Sequence, residues 1–326
     1  MAKLSKTNAR IENPFAWISR LHGARRRVFA YLILTLTMLF LSTNHVIGRA
    51  THTEIPPLGL SFWRWLVAGL LLLPLIWPRR NQLVSIYRHR WRPLALLGSV
   101  FIGSTAMVLV ALNFTTVINV SLINATQPTL TVFFAWLFLH DRLSKIQILG
   151  LFAAFAGVAV TLVRGDWHTL TTLQFNGGDL VALLAMSGFA TYAVNIRHIP
   201  TELNPAEALF GLIVAGCVTL LPFYVAESIF YRLVPLSWTA VGAILLLAVF
   251  ASVLATLMWN IGNQLVGPSE AGVFINLTPV FGTVLAVLLL AEQLFWFHVV
   301  GVLLVGLGIV LVIGLFQRRP DGTRLD

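Results

Sequence analysis

Two prolines stand where a membrane helix has little use for one. Pro128 and Pro279 each lie about ten residues into an apolar run. At roughly 1.5 Å rise per residue, that brings both near the middle of a hydrocarbon core about 30 Å thick. A proline inside a helix frees the carbonyl four residues back, here those of Asn124 and Ile275. Polar side chains gather at both places: Asn119, Ser121, Asn124, Thr126 and Gln127 beside the first, Asn276 and Thr278 beside the second. Amides in hydrocarbon need partners. The pattern therefore has two readings, amide glue between helices at a packing kink or the wall of a wet cavity. Recurrence of the whole cluster favours the cavity, and the chemistry it offers is the binding of a polar solute.

Further candidates carry their own alternatives. Asn44 and His45 in the first apolar run, and Tyr192 and Asn195 in the sixth, read as helix glue or as cavity wall. Arg64, flanked by Phe62, Trp63 and Trp65, either snorkels to headgroups among interfacial tryptophans or turns inward as an anion clamp. Glu270 follows Gly267-Pro268-Ser269, which is how an ordinary helix begins; an acid lining a cavity would also bind a coupling proton. The chain has no Walker-type G-x-x-x-x-G-K, no H-E-x-x-H and no nucleophile elbow, so nothing points to ATP hydrolysis or metal-dependent proteolysis. One cysteine, Cys217, and eight scattered histidines give no ligand spacing. No enzyme activity, cofactor or metal is expected.

The elements that position these residues are set by the solvent. Of 326 residues 58% are hydrophobic and 10% charged, the balance of an integral membrane protein. Runs of roughly 20 apolar residues are expected near 28–48, 59–78, 94–113, 117–138, 146–164, 178–196, 205–225, 238–261, 268–290 and 296–316. Residues 1–27 form a polar, basic tail in which Phe15, Trp17, Ile18 and Leu21 suggest a short interfacial helix. The apolar run after it is too long for a signal peptide. The net charge of +10 sits in tails and loops, where it orients helices and meets anionic headgroups. Nucleic acid is not an expected partner; a small-molecule substrate and the lipid bilayer are. Monomer and homodimer stay equally open.

The chain also contains one stretch twice. Residues 119–163 reappear without a gap 151 positions later: Pro128 falls on Pro279, Asp141 on Glu292, Gly150 on Gly301 and Gly157 on Gly308. These are residues that set backbone shape, so the match exceeds shared hydrophobicity. At an offset of 148, Pro57, Phe62 and Pro74 fall on Pro205, Phe210 and Pro222. The expected architecture is all-α and polytopic, with ten transmembrane helices as two five-helix repeats, 28–164 and 178–316. An external linker (165–177) joins them and a tail (317–326) follows. Five is odd, so the second copy enters the membrane from the other side, an inverted repeat. With the N-terminus inside, the inner segments hold 18 Lys and Arg and the outer segments three. That bias places both termini in the cytoplasm and the chain in the inner (plasma) membrane.

The strings Asn44-His45-Val46-Ile47-Gly48-Arg49, Pro56-Pro57 with Phe62 and Arg64, Asn124 to Pro128, Asp141-Arg142-Leu143, Gly150, Gly157, Pro268-Ser269-Glu270-Ala271, Pro279, Glu292 and Gly301 stand in one order and spacing. In that arrangement the chain resembles the EamA-type ten-helix exporters of the drug/metabolite transporter superfamily over residues 28–316. It departs from them at Leu41-Ser42-Thr43, where many relatives have a Trp-Gly pair, and at His140. The resemblance implies a secondary transporter, usually an exporter, of small metabolites such as amino acids. Two alternatives belong to other classes: a membrane-embedded lipid-modifying transferase, and an assembly protein with no solute path.

A cysteine introduced at Asn176 is expected to react with a membrane-impermeant thiol reagent from outside the cell. Labelling there only from the cytoplasmic face would remove the inverted-repeat topology.

Overall fold

The computed structural model describes residues 23–139, 145–162, 176–200, 202–266, 271 and 274–313. Thirteen α-helices are labelled here: α1 Gly23–Ala50, α2 Pro57–Ile76, α3 Arg80–His89, α4 Trp91–Phe114, α5 Val117–Asn124, α6 Gln127–Leu139, α7 Lys145–Leu162, α8 Gly177–Asn195, α9 Pro205–Phe230, α10 Trp238–Leu246, α11 Ala255–Val266, α12 Leu277–Leu290 and α13 Trp296–Ile313. No strand occurs among the described residues. Among the described residues six stretches are long and apolar enough to cross a membrane, and a seventh is the bent pair α5 and α6; α7, α12 and α13 hold shorter apolar helices at the fifth, ninth and tenth expected spans. The Arg79 to Arg92 stretch, between the second and third expected spans, contains the helix α3. It tucks Leu83 inward and donates the Tyr87 hydroxyl to the Glu207 carbonyl at 2.7 Å. The eighth expected span is not uniform either, because a π-helical stretch, Leu247–Leu254, separates α10 from α11.

Each helix must find partners for its first backbone N–H groups, and in a membrane water is not there to help. Sequence-local caps serve some: Asn204 and Glu207 form a capping box at α9, with Pro205 in the first turn, and Ser237 accepts from Ala240 N at α10. Others borrow a carboxylate from a distant helix. Glu227 of α9 accepts Leu58 N and Gly59 N of α2 at 3.1 and 2.7 Å. Glu292 accepts Val117 N and Ile118 N of α5 at 2.9 and 3.1 Å. An anion at a helix N-terminus is also favoured by the macrodipole. Ala291, at φ 54°, takes the left-handed conformation that ends helices just before Glu292 turns back to α5.

Packing follows the duplication. Helix α1 lies against α11 and α12, and its counterpart α8 lies against α4 and the α5/α6 pair; α2 packs on its own counterpart α9, and α7 on α13. Exchange of the two copies maps this set of neighbours onto itself. One apolar core gathers Leu109, Leu112, Ile118, Ile123 and Met186, and a second gathers Trp65, Leu72, Ile102, Leu209 and Ile213. Outward, Leu70, Leu96, Phe152, Val218, Leu288 and Leu303 stay more than half exposed, the surface that lipid covers.

The α7–α13 pair shows what the repeat-matched glycines do. A Cβ on Gly157 would lie 2.8 Å from the Gly301 carbonyl oxygen and 2.9 Å from Leu304 Cβ, and one on Gly308 would lie 2.6 Å from the Gly150 carbonyl oxygen. Backbone thus meets backbone, the small-residue packing of membrane helices. Gly157→Val is expected to lower the thermal unfolding temperature in detergent, an overpacking loss of roughly 1–3 kcal/mol. Gly306→Ala, where an added Cβ meets nothing within 4 Å, should leave it unchanged.

Candidate functional site

The fourth expected span is broken where the sequence placed its proline. Helices α5 and α6 meet at 43° across Ala125 and Thr126, and Pro128 is the second residue of α6. The ninth is irregular in the same place: a 3₁₀ turn, Phe274–Asn276, precedes α12, whose third residue is Pro279. Each proline therefore sits in the first turn of a downstream helix, where its missing N–H costs nothing. The break is held locally by Thr126, whose hydroxyl donates to the Ile123 carbonyl at 2.6 Å. Asn124 and Gln127 flank it half-buried, and among the described residues neither amide has a hydrogen-bond partner. The side chain of Asn276, and Glu270 altogether, lie outside the described residues.

Three helices from both copies converge here. Helix α5 packs on α12, and α1 on both. Gly282 of α12 makes the approach possible, since a Cβ there would lie 2.9 Å from Ser121 Cβ on α5. Ser42 of α1 donates to the Thr278 carbonyl at 3.2 Å, while the Thr278 hydroxyl is buried against Met38 Sδ at 3.4 Å. His45 Nδ1 lies 3.4 Å from the Ser121 hydroxyl. Beside it, Asn44 Oδ1 accepts from Arg64 Nη1. Arg64 is 2% exposed and so does not snorkel; it is Trp63 that faces outward, its indole donating to the Tyr224 hydroxyl at 3.0 Å.

Tyr192 and Asn195 stand elsewhere on α8. Tyr192 packs on Phe101 at 4.9 Å between ring centroids and joins the apolar cluster of Leu94, Leu97 and Leu212. The Asn195 amide donates to the Thr191 carbonyl one turn back. No described hydrogen bond joins either to Asn44 or His45. A hollow of about 680 Å³ opens at one end of the bundle, between the start of α1 and the end of α11, lined by Arg26, Arg27, Tyr31 and Leu265.

A second polar assembly was not visible from the residues alone. Asp179, in the first turn of α8, accepts from Thr115 and from Asn119 Nδ2 at 3.2 and 3.3 Å. Asn119 Oδ1 lies 3.0 Å from His298 Nε2, and His298 Nδ1 accepts Phe295 N at 3.1 Å. An acceptor Nδ1 leaves the proton on Nε2 in the neutral ring, so His298 donates to Asn119. All four side chains are buried, and together they tie α5, α8 and α13. The available signal was Asn176-Gly177-Gly178-Asp179, a helix start. The amide and imidazole that complete it lie 60 and 119 positions away in sequence. No group of three metal-binding side chains occurs among the described residues.

Long apolar helices, two broken spans and a buried polar seam between duplicated halves define a polytopic helical membrane protein. The family model of the EamA-like transporter family matches residues 28–163 and again 176–314, so the chain belongs to that family and is a membrane transporter. It is 30% identical over 302 residues to the uncharacterized transporter YyaM of Bacillus subtilis (strain 168), covering 90% of this chain and 96% of that one. An uncharacterized transporter of Archaeoglobus fulgidus is 26% identical, with 88% and 96% covered. Mouse solute carrier family 35 member F2 is 25% identical over 228 residues, covering 63% of this chain and 60% of its own. A solved crystal structure with 20% identity superposes with a TM-score of 0.58 over 90% of this chain and 99% of its own, a likeness of fold.

Asn119→Leu removes the donor to Asp179 and the acceptor for His298 in one step. The expected result is a loss of roughly 1–3 kcal/mol for each buried polar group stranded, read as a lower unfolding temperature. Asn195→Leu, whose amide serves only its own helix, is expected to cost far less.

Proposed function

We propose that this transporter moves small organic solutes such as amino acids by alternating access, with export as the net direction. It does so as ten spans in two inverted five-helix repeats, both termini in the cytoplasm. The observation that carries the reading is the break at Ala125 and Thr126. There two half-buried amides, Asn124 and Gln127, stand without partners on the helix pair that meets the second copy. Structural amide glue would have spent those hydrogen bonds on neighbouring helices.

The backbone adds to what the amides offer. At the break α5 ends and α6 begins, and α12 begins at the matching place in the other copy. Helix ends carry partial charges of about half an elementary charge, positive at the N-terminus and negative at the C-terminus. A solute between them meets both signs, which suits a zwitterion. Thr278, with Asn44 and His45, forms the opposing wall, and Pro128 and Pro279 keep the spans broken. Glu270, an acid at the sequence entry to the ninth span, is the candidate to carry a coupling proton. For the solute to leave, the helices tied by Asp179, Asn119, His298 and Glu292 have to part at their end of the bundle.

Asn124→Leu is expected to insert and fold normally, because it makes the helix more apolar. In proteoliposomes it should reduce counterflow of a radiolabelled amino-acid mixture by roughly 10- to 100-fold, the worth of one or two lost hydrogen bonds to a charged solute. Unchanged rate and apparent affinity in Asn124→Leu and Gln127→Leu alike would move the site away from the break.

A further inference from the structure

Arg64 is a buried cation without a counter-charge. It sits on α2 seven residues after the helix start, roughly 10 Å along the axis, and is 2% exposed. No described carboxylate lies within salt-bridge distance of it. Of the five N–H groups a guanidinium carries, Nη1 donates to Asn44 Oδ1 and Nε is buried with no hydrogen-bond partner. The group lies over Trp65, 5.3 Å from the ring centroid, and that ring is fixed by its own hydrogen bond to Thr105 at 2.8 Å. Asn44 and Trp65 thus hold the guanidinium in place and leave its charge unneutralised.

Two further buried donors stand unused, one on α2 and one on the π-helical stretch packed against it. Ser61, three residues earlier and on the same face of α2, is fully buried and its hydroxyl has no partner. Ser252, on the π-helical stretch that packs against α2 and α1, is buried and unpartnered in the same way. Cation, hydroxyl and hydroxyl are all donors. An uncompensated charge away from water is costly, and in membrane helices such residues line substrate paths. The π-helical stretch is a further mark of a working site, since wide turns inside α-helices concentrate there. Through Asn44 and the adjoining His45, which reaches Ser121 on α5, Arg64 is linked to the broken span.

We propose that Arg64, assisted by Ser61 and Ser252, binds the carboxylate of the transported solute, so that the substrates are small organic carboxylates, amino acids among them. The proposal rests on the carrier reading above and adds the charged group the substrate must have. A carboxylate presents two coplanar oxygens to the guanidinium fork and neutralises the charge at once, while its remaining lone pairs accept from the serine hydroxyls. A neutral solute would leave the cation as it is.

Two experiments test this. In the first, no solute is needed: the double variant Asn44→Leu/Arg64→Met removes the charge and its one hydrogen-bond partner together. It should unfold at the wild-type temperature or above, because no ion pair is lost. A markedly lower temperature would make Arg64 a structural residue and overturn the proposal. In the second, thermal stabilisation and proteoliposome uptake are measured with L-leucine against L-leucinamide and sodium benzoate against benzamide, with sodium chloride at matched ionic strength. At least one free carboxylate should act, its amide much more weakly. Arg64→Gln should weaken that response by roughly 10- to 100-fold, and Arg64→Lys should restore part of it. Equal responses to acid and amide, an Arg64→Gln variant indistinguishable from wild type, or the same stabilisation by chloride alone would each refute carboxylate binding. Uptake of the amides without the acids would refute it too and leave the carrier standing. No flux of any probe through a folded, oriented protein would instead overturn the carrier reading itself.

Discussion

A backbone N–H or carbonyl inside a membrane has nowhere to turn but the protein itself. Several helix starts among the described residues, and the break at Thr126, are consequently closed by a specific side chain, and where those side chains come from ties distant parts of the fold together. Glu227 reaches from α9 to the first turn of α2, and Glu292 from the end of α12 to the first turn of α5. Neither contact is local. Each fastens one copy of the repeat to the other at a helix N-terminus, where an anion is worth most. Exposed ion pairs contribute little by comparison; these carboxylates matter because the amides they satisfy have no water to fall back on.

The same scarcity separates the polar groups that hold the molecule together from those that are free to work. The Asp179, Asn119, Thr115 and His298 assembly is closed: each member is buried, and each spends its hydrogen bonds on the next. Such a network fixes a unique packing, and its members cannot be removed singly without stranding the others. Asn124, Gln127, Arg64, Ser61 and Ser252 are the opposite case, donors and amides with capacity left over. Both kinds lie in one membrane protein of low charge, and the contrast is what supports the solute path proposed above.

Motion has to be reconciled with this packing. The α7–α13 pair meets glycine to backbone and has little room to slide. Irregularity is concentrated elsewhere, at the 43° bend between α5 and α6, the 3₁₀ turn before α12 and the π-helical stretch between α10 and α11. Alternating access asks for a few elements with two arrangements set in a frame with one. The glycine-packed pair suits the frame, and the three irregular segments suit the moving parts.

Much of this was written in the sequence, for a physical reason: a membrane reduces folding to apolar length, breaks and flanking charge. Apolar runs located the helices, Pro128 and Pro279 located two irregular spans, and the spacing of Gly150, Gly157, Gly301 and Gly308 revealed a duplication whose glycines bring α7 and α13 backbone to backbone. Asn44, His45 and Thr278 were recognisable as polar groups within spans because hydrocarbon makes such residues conspicuous. The sequence could not assign partners, since a hydrogen bond between residues 119 and 298 leaves no local trace. It also could not tell inward from outward: Arg64 beside Trp63 and Trp65 fits a headgroup anchor as well as a buried clamp, and only the packing of α4, α9 and the π-helical stretch against α2 turned it inward. The helix in the Arg79 to Arg92 stretch escaped notice because charge density hid its single buried leucine. The π-helical stretch escaped because Leu, Ala, Val and Ser suit an α-helix equally well, and the wider turn was decided by what lies beside it.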